Sequence, residues 1–429
     1  MKKQNWEISH RYNTMHDKWI VKERTDLANY YNPYLKLRYN VTSTSEATPL
    51  ISESDLENVT EIIINGNSIS PVKEYTFTTT GEHEVWFRFT NEAINYNGSE
   101  GSFIRGFNSS TPVTEIVEIP TEMIYLTGSA FQNCNTLVKA NLKTPNGKLL
   151  VINNNSLSNS GLLEILIPNS VEIISAGAFL NCQLLENIIF SESLREIKGI
   201  SFQNCVSLTE VVIPNSVTII DAGAFYGSNN IEKFVFSSSM TTIEAGICGN
   251  NTNLKEVIIP EGIKTIKSSA FNGCTGLTEL VVPNSVTTIE ANAFVNCSNI
   301  ERLVLSSSMT VIVAGNWGGN KNLREVIIPE GIETIISGAF YNCTGLKSIV
   351  FPTSIKELQA NSFWGSGLNN ITFLSKTSPT IPAGAFAEVA PNGTLYVPYG
   401  CTEAYSYLLS MENGYLGAQG WTIQELPQE

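Results

Sequence analysis

Cysteine is the residue type in this chain best suited to chemistry, and its spacing is regular enough to raise the question. Six of the eight cysteines, Cys134, Cys182, Cys205, Cys274, Cys297 and Cys343, stand three residues after a phenylalanine, as in SGAFYNCTGLKSIVFP over Ser337–Pro352. A thiolate nucleophile needs a neighbouring base. The three histidines, His10, His16 and His83, all lie in the N-terminal region, away from these cysteines in sequence. A structural zinc site needs four converging ligands, typically in C-x₂₋₄-C pairs, and no such pair occurs. Stacked cysteines one repeat apart come within disulfide distance, but their Cα–Cβ vectors run parallel, which opposes bridge geometry. The equivalent position also holds Ser228, Asn251, Asn320 and Ser366, so it reads as a small packing and turn-capping site.

Other chemistry-bearing motifs are missing. The chain has no H-E-x-x-H, G-x-S-x-G, phosphate-binding loop or EF-hand loop. Glutamates abound, but they recur by repeat position, as a solvated face does. No catalytic residue, cofactor-binding residue or metal ligand is therefore assigned, and the expectation is a protein that is not an enzyme.

The elements that position these residues emerge when the chain is aligned on itself. A bulky position returns every 23 residues as Phe179, Phe202, Phe225, Cys248, Phe271, Phe294, Trp317, Phe340, Phe363 and Phe386. Copies at Phe131 and Leu157 with irregular spacing bring the array to about twelve turns. Two further columns stay apolar throughout: Val171, Leu194, Val217, Met240, Ile263, Val286, Met309, Ile332 and Ile355, then Ile174, Ile197, Ile220, Ile243, Ile266, Ile289, Ile312, Ile335 and Leu358. Such columns are the core of a solenoid, in which a turn buries its apolar face only against the turns beside it. Residues 231–277 recur at 300–346, an offset of 69 or three units, and between the copies Cys248 becomes Trp317. That column demands bulk more than any particular atom.

The run before each proline, such as LTELVVP, is β-branched, alternates with period two and reads as a strand. One strand per unit, stacked in parallel at ~4.8 Å per turn, gives a mainly β solenoid, with a second short extended or 3₁₀ segment expected through the AF dipeptide. The unit L-x-x-L-x-I-P-x-S-V-x-x-I-x-x-x-A-F-x-N-C resembles the BspA-like (treponemal-type) family of bacterial leucine-rich-repeat proteins. TLYVPYGCTEAYSYLLSMENGYLGAQGW resembles that family's capping segment. The expected organisation is an N-terminal segment and small β-sandwich-like domain over 1–112, the solenoid over 113–388 and a C-terminal cap over 389–429. The N-terminal strands are read in LKLRYNVTST, VTEIIING, EYTFTTT and HEVWFRFT, and Tyr125–Asn153 forms an irregular first repeat.

Net charge is −14, and the first 40 residues carry 8 Lys/Arg against 4 Asp/Glu, so the body is more acidic still, at −18. Such a body repels nucleic acid and anionic lipid. No apolar run approaches the ~20 residues that span a bilayer, and MKKQNWEISHRYNTMHDKW lacks the apolar region of a signal peptide.

Two strand columns point outward together, because side chains alternate with period two. One is charged: Glu164, Asn187, Glu210, Lys233, Glu256, Glu279, Arg302, Glu325 and Ser348. Lys233 between Glu210 and Glu256, and Arg302 between Glu279 and Glu325, are placed for cross-strand pairing, which leaves the Glu256 to Glu279 step unpaired. The other is aliphatic: Leu166, Ile189, Val212, Val235, Ile258, Val281, Val304, Ile327 and Val350. β-propensity accounts for such a ladder, and so does a recognition surface. The aliphatic column together with Glu210, Glu256, Glu279 and Glu325 is the expected binding strip. The resemblance implies an exported or surface-displayed protein, extracellular or on the cell surface, that binds host matrix or cell-surface proteins. A structural or phage-type display protein anchored by its N-terminal domain is the alternative. A glycan hydrolase would need a carboxylate pair that the sequence does not single out.

Overall fold

A chain that repeats an apolar pattern every 23 residues buries it by coiling, and this one does. A computed structural model describes residues 32–90, 107, 110–144, 147–410 and 416–428; the basic stretch before them, with His10 and His16, lies outside the described residues. Each regular turn contributes two short strands. The three-residue strands of the first ladder, such as Glu210–Val212, Lys233–Val235 and Glu256–Ile258, pair in parallel and in register. The two-residue strands of the second, such as Thr242–Ile243, Thr265–Ile266 and Thr288–Ile289, do likewise. The second extended segment thus lies ahead of the AF dipeptide, while the residues through AF are consecutive turns.

Hydrogen bonding along each ladder is interrupted at intervals. The first opens between Asn187–Ile189 and Glu210–Val212, between Glu256–Ile258 and Glu279–Val281, and between Glu325–Ile327 and Ser348–Phe351; the second opens after Ile219–Ile220 and after Thr288–Ile289. At each of these steps the other ladder stays paired, as Ile197 to Ile220 and Ile266 to Ile289 do across the first two. The apolar columns run through without a break: Phe179, Phe202, Phe225, Phe271, Phe294, Phe340 and Phe363 are all fully buried. Their rings stack nearly parallel, with centroids 5.0 Å apart for Phe179 and Phe202 and 5.1 Å for Phe202 and Phe225.

The exchange of Cys248 for Trp317 has a volume partner. Beside Cys248, the strand supplies Phe234 and Phe236, which pack edge-on against Phe225 and Phe271. In the duplicated block these positions are Leu303 and Leu305, and the space is filled by Trp317 stacked on Phe294 at 5.0 Å. Close packing makes the two changes one.

The turns depend on left-handed backbone. Two columns with positive φ each count twelve turns: Ser129, Asn155, Gly177, Ile200, Gly223, Gly246, Ser269, Asn292, Gly315, Gly338, Asn361 and Gly384, and, four residues on, Asn133, Asn159, Asn181, Asn204, Gly227, Asn250, Gly273, Asn296, Gly319, Asn342, Gly365 and Glu388. Asparagine and glycine tolerate this region best. They also fit each other across turns: a Cβ on Gly273 would lie 2.6 Å from Asn250 Oδ1, and where asparagine follows asparagine, Asn204 Nδ2 donates to Asn181 Oδ1 at 2.9 Å.

At the N-terminal end, one six-stranded sheet takes in Tyr34–Val41, Val59–Ile64, Asn67–Ile69, Gly81–Phe89, Val113–Glu118 and Lys139–Ala140. Its inner face packs on Leu50, Ile51 and Phe77, near the two-stranded pair Thr48–Pro49 and Glu74–Tyr75, so the unit has one full sheet and a ribbon where a sandwich would have two sheets. Phe107 joins this core to the solenoid, edge-on to Phe87 and stacked at 4.9 Å on Phe131. At the other end, strands Asn370–Phe373, Thr394–Val397 and Thr422–Glu425 continue the first ladder. Buried Tyr405 donates to Ser375 O and closes that end.

Ile200 is the one β-branched residue in the left-handed columns, at φ 53°, and its side chain is exposed. Replacing it with asparagine, which adopts this conformation at lower cost, should raise stability by about 1 kcal/mol, read as a higher denaturation midpoint. An unchanged or lower midpoint would show that the strain is relieved elsewhere.

Candidate functional site

The cysteine column lies inside the solenoid. Cys134, Cys182, Cys205, Cys274, Cys297 and Cys343 are fully buried and none is in a disulfide. Five of the thiols donate to the carbonyl of the bulky residue one turn back: Cys182 to Leu157, Cys205 to Phe179, Cys274 to Cys248, Cys297 to Phe271 and Cys343 to Trp317, at 3.1 to 3.2 Å. Ser228 makes the same bond to Phe202 at 2.8 Å, which is why serine substitutes here. The amides of Asn251 and Asn320 fill the position without a hydrogen-bond partner among the described residues.

Burial pushes these thiols away from the thiolate: Cys182 up to about 11, and Cys134, Cys297 and Cys343 up to about 12. Cys205, Cys248 and Cys274 are raised well above the usual thiol range for the same reason. The described histidine is also committed. His83 packs on Phe77, and its partners assign the tautomer: Nε2–H donates to Thr79 O and Nδ1 accepts from Asn65 Nδ2, both at 2.9 Å. Among the described residues, no group of three His, Cys, Asp or Glu is placed to hold a metal ion.

The outward strand columns are where sequence alternation places them. Glu164, Glu210, Glu256, Glu279 and Glu325 are exposed, and none of Leu166, Ile189, Val212, Val235, Ile258, Val281, Val304, Ile327 and Val350 is buried. The aliphatic strip emerges furthest in the later turns, where Val281 is 49 % and Val350 48 % exposed. Arg302 bridges Glu279 and Glu325 as expected, the latter at 2.9 Å. Lys233 pairs with Glu256 at 3.2 Å but not with Glu210, because its ammonium leans to one side of a two-sided choice. The like-charged step from Glu256 to Glu279 coincides with an opening of the first ladder.

Sequence reading overlooked two exposed leucines on this face. Leu163, just ahead of its strand, is 45 % exposed and Leu184, in a turn, is 52 % exposed. Other turns carry Asn, Gly, Ser, Thr or charged residues at these places, and that departure was the available signal.

A family described as BspA type Leucine rich repeat region (6 copies) matches residues 105–232, 196–317 and 316–413, more than two thirds of the chain. Among solved structures, a leucine-rich repeat protein from Bacteroides ovatus matches with 22 % identity and TM-score 0.56, covering 75 % of this chain and 86 % of its own. A leucine rich cell surface protein from Faecalibacterium prausnitzii matches with 21 % identity and TM-score 0.34, covering 53 % of this chain and 83 % of its own. The Leucine Rich Repeat protein of T. pallidum matches with 17 % identity and TM-score 0.24, covering 59 % and 79 %. None of the curated proteins matches.

Raised thiol pKa values link the column to stability. The native state holds its thiol protons above pH 9, where the unfolded chain releases them, so this contribution is complete below about pH 9 and is lost as pH rises toward about 11 for Cys182 and about 12 for Cys343. Denaturation midpoints should fall across that window, and a Cys343→Ser variant should be destabilised by about 1 kcal/mol at pH 7 with a shallower fall. A disulfide reagent should titrate only Cys401, the one partly exposed thiol, in the folded protein, and all eight cysteines after unfolding. Rapid reaction of a second thiol without denaturant would contradict this burial.

Proposed function

Because the chain belongs to the BspA type leucine-rich-repeat family, we propose that it is a non-catalytic bacterial surface or secreted protein that binds other proteins, host matrix or cell-surface proteins among them, through its solenoid. Residues 113–388 are the binding array, 1–112 the part that presents it and 389–429 its cap. The observation that carries this reading is the aliphatic strip: a column of Val, Ile and Leu that points outward on nine successive turns and is buried on none. A strip of this kind is continuous because the turns are in register, and contiguous exposed apolar surface of several hundred Å² is a mark of recognition. The non-catalytic reading rests on the thiols and on His83. Among the described residues, the buried thiols and His83, suited to nucleophilic or acid–base chemistry, are spent on packing and backbone hydrogen bonds.

Screening the full chain against matrix proteins and glycans, with the quadruple variant Val212→Thr, Val235→Thr, Ile258→Thr and Val281→Thr alongside, tests the reading. Capture of a protein ligand should weaken at least about tenfold, since each lost apolar contact contributes up to ~1 kcal/mol. The denaturation midpoint should move little, because none of the four sites is buried. Undiminished capture would remove the strip from consideration.

A further inference from the structure

We infer that the first turns of the solenoid form a docking surface for a cationic, aliphatic segment of a partner protein, in which lysine or arginine adjoins leucine, isoleucine or valine. This deepens the protein-binding reading and rests on it. Leu163 stacks directly on Val138, donating its backbone N–H to Val138 O, and the backbone N–H of Glu186 in turn donates to Leu163 O. Val138, Leu163 and Leu184 are all exposed. β-propensity explains aliphatic residues inside strands, but all three lie just outside the strands, at positions filled elsewhere by small, polar or charged residues.

Charge decides the occupant. In later turns the carboxylates of this face have cations: Glu232 has Lys255, Glu256 has Lys233, Glu301 has Arg324, and Glu279 and Glu325 share Arg302. In the first turns Glu164, Glu186 and Glu210 have no ion pair among the described residues, and the neighbouring Lys139 is taken by Glu115 at 3.0 Å. Three uncompensated carboxylates beside three exposed aliphatic side chains repel acidic partners and complement a segment that offers both apolar surface and positive charge.

Three short labelled peptides, one of lysine and leucine, one of glutamate and leucine and one of lysine and serine, would be titrated into the full chain by fluorescence anisotropy. The lysine–leucine peptide should bind at least about tenfold tighter than either control, and more weakly as salt rises. The triple variant Glu164→Gln, Glu186→Gln and Glu210→Gln should lose about tenfold and flatten the salt dependence, as expected when complementary charge is removed. Leu163→Thr with Leu184→Asn, residues that other turns carry at the equivalent positions, as Thr209 and Asn230 do, should lose a comparable factor with the salt dependence intact and an unchanged circular dichroism spectrum. Val281→Thr with Ile327→Thr, further along the face, should bind the peptide as the parent does. Equal binding of the lysine–serine peptide, an unaffected glutamine variant, or equal loss in the Val281 and Ile327 variant would each overturn the inference. Capture of matrix proteins still sensitive to the four-threonine variant would then leave the aliphatic strip standing without it.

Discussion

Every feature of this molecule depends on one turn lying directly on the next. A 23-residue unit has too little apolar surface to hold itself together, so each position in it is judged by its equivalents one turn above and below. The phenylalanine rings stack at about the same spacing as the strands, with Phe271 on Phe294 at 5.0 Å and Phe340 on Phe363 at 5.1 Å. The thiol of one turn donates to the carbonyl of the previous one, and the left-handed asparagine of one turn rests on the glycine of the next. A cysteine at such a position contributes a small polarizable group with one weak donor, so serine can replace it and its reactivity is suppressed by burial.

Register also explains how the array tolerates variation. Loss of bulk at Cys248 is matched by Phe234 and Phe236, and gain of bulk at Trp317 by Leu303 and Leu305, so the duplicated blocks reach the same packing by different routes. Hydrogen bonding between turns is shared between two ladders that open at different steps. The first opens after Glu256–Ile258 and again after Glu325–Ile327, the second after Ile219–Ile220 and again after Thr288–Ile289, so each interruption recurs one three-turn block later.

Much of this was legible before any coordinates. The apolar columns, the strand before each proline and the outward direction of the Glu210 and Val212 columns follow from period and alternation alone. The position of the second strand did not, because two residues such as Glu196–Ile197 leave too short a pattern to separate from a turn. The left-handed columns were written in the recurrence of Asn and Gly, yet Ile200, Ser269 and Glu388 obscure them, since tertiary stacking imposes a conformation that these residues do not favour. Pairing of Lys233 with one glutamate and not the other lay beyond sequence, as did the exposure of Leu163 and Leu184, which depends on what the neighbouring turns leave uncovered.

The interior of the solenoid is therefore architecture, and recognition is assigned to the side chains its strands and their flanking turns direct outward. Carboxylate footprinting by mass spectrometry, comparing the free full-length protein with its complex with a captured protein ligand, tests that assignment most directly. The account predicts lowered labelling of outward glutamates such as Glu164, Glu210 and Glu256, with Glu330, on a turn where it is held by Thr353 and Ser354, unchanged. Protection confined to Glu330 and other turn carboxylates that do not flank these strands, or to the N-terminal sheet, with the strand glutamates labelled as in the free protein, would contradict it.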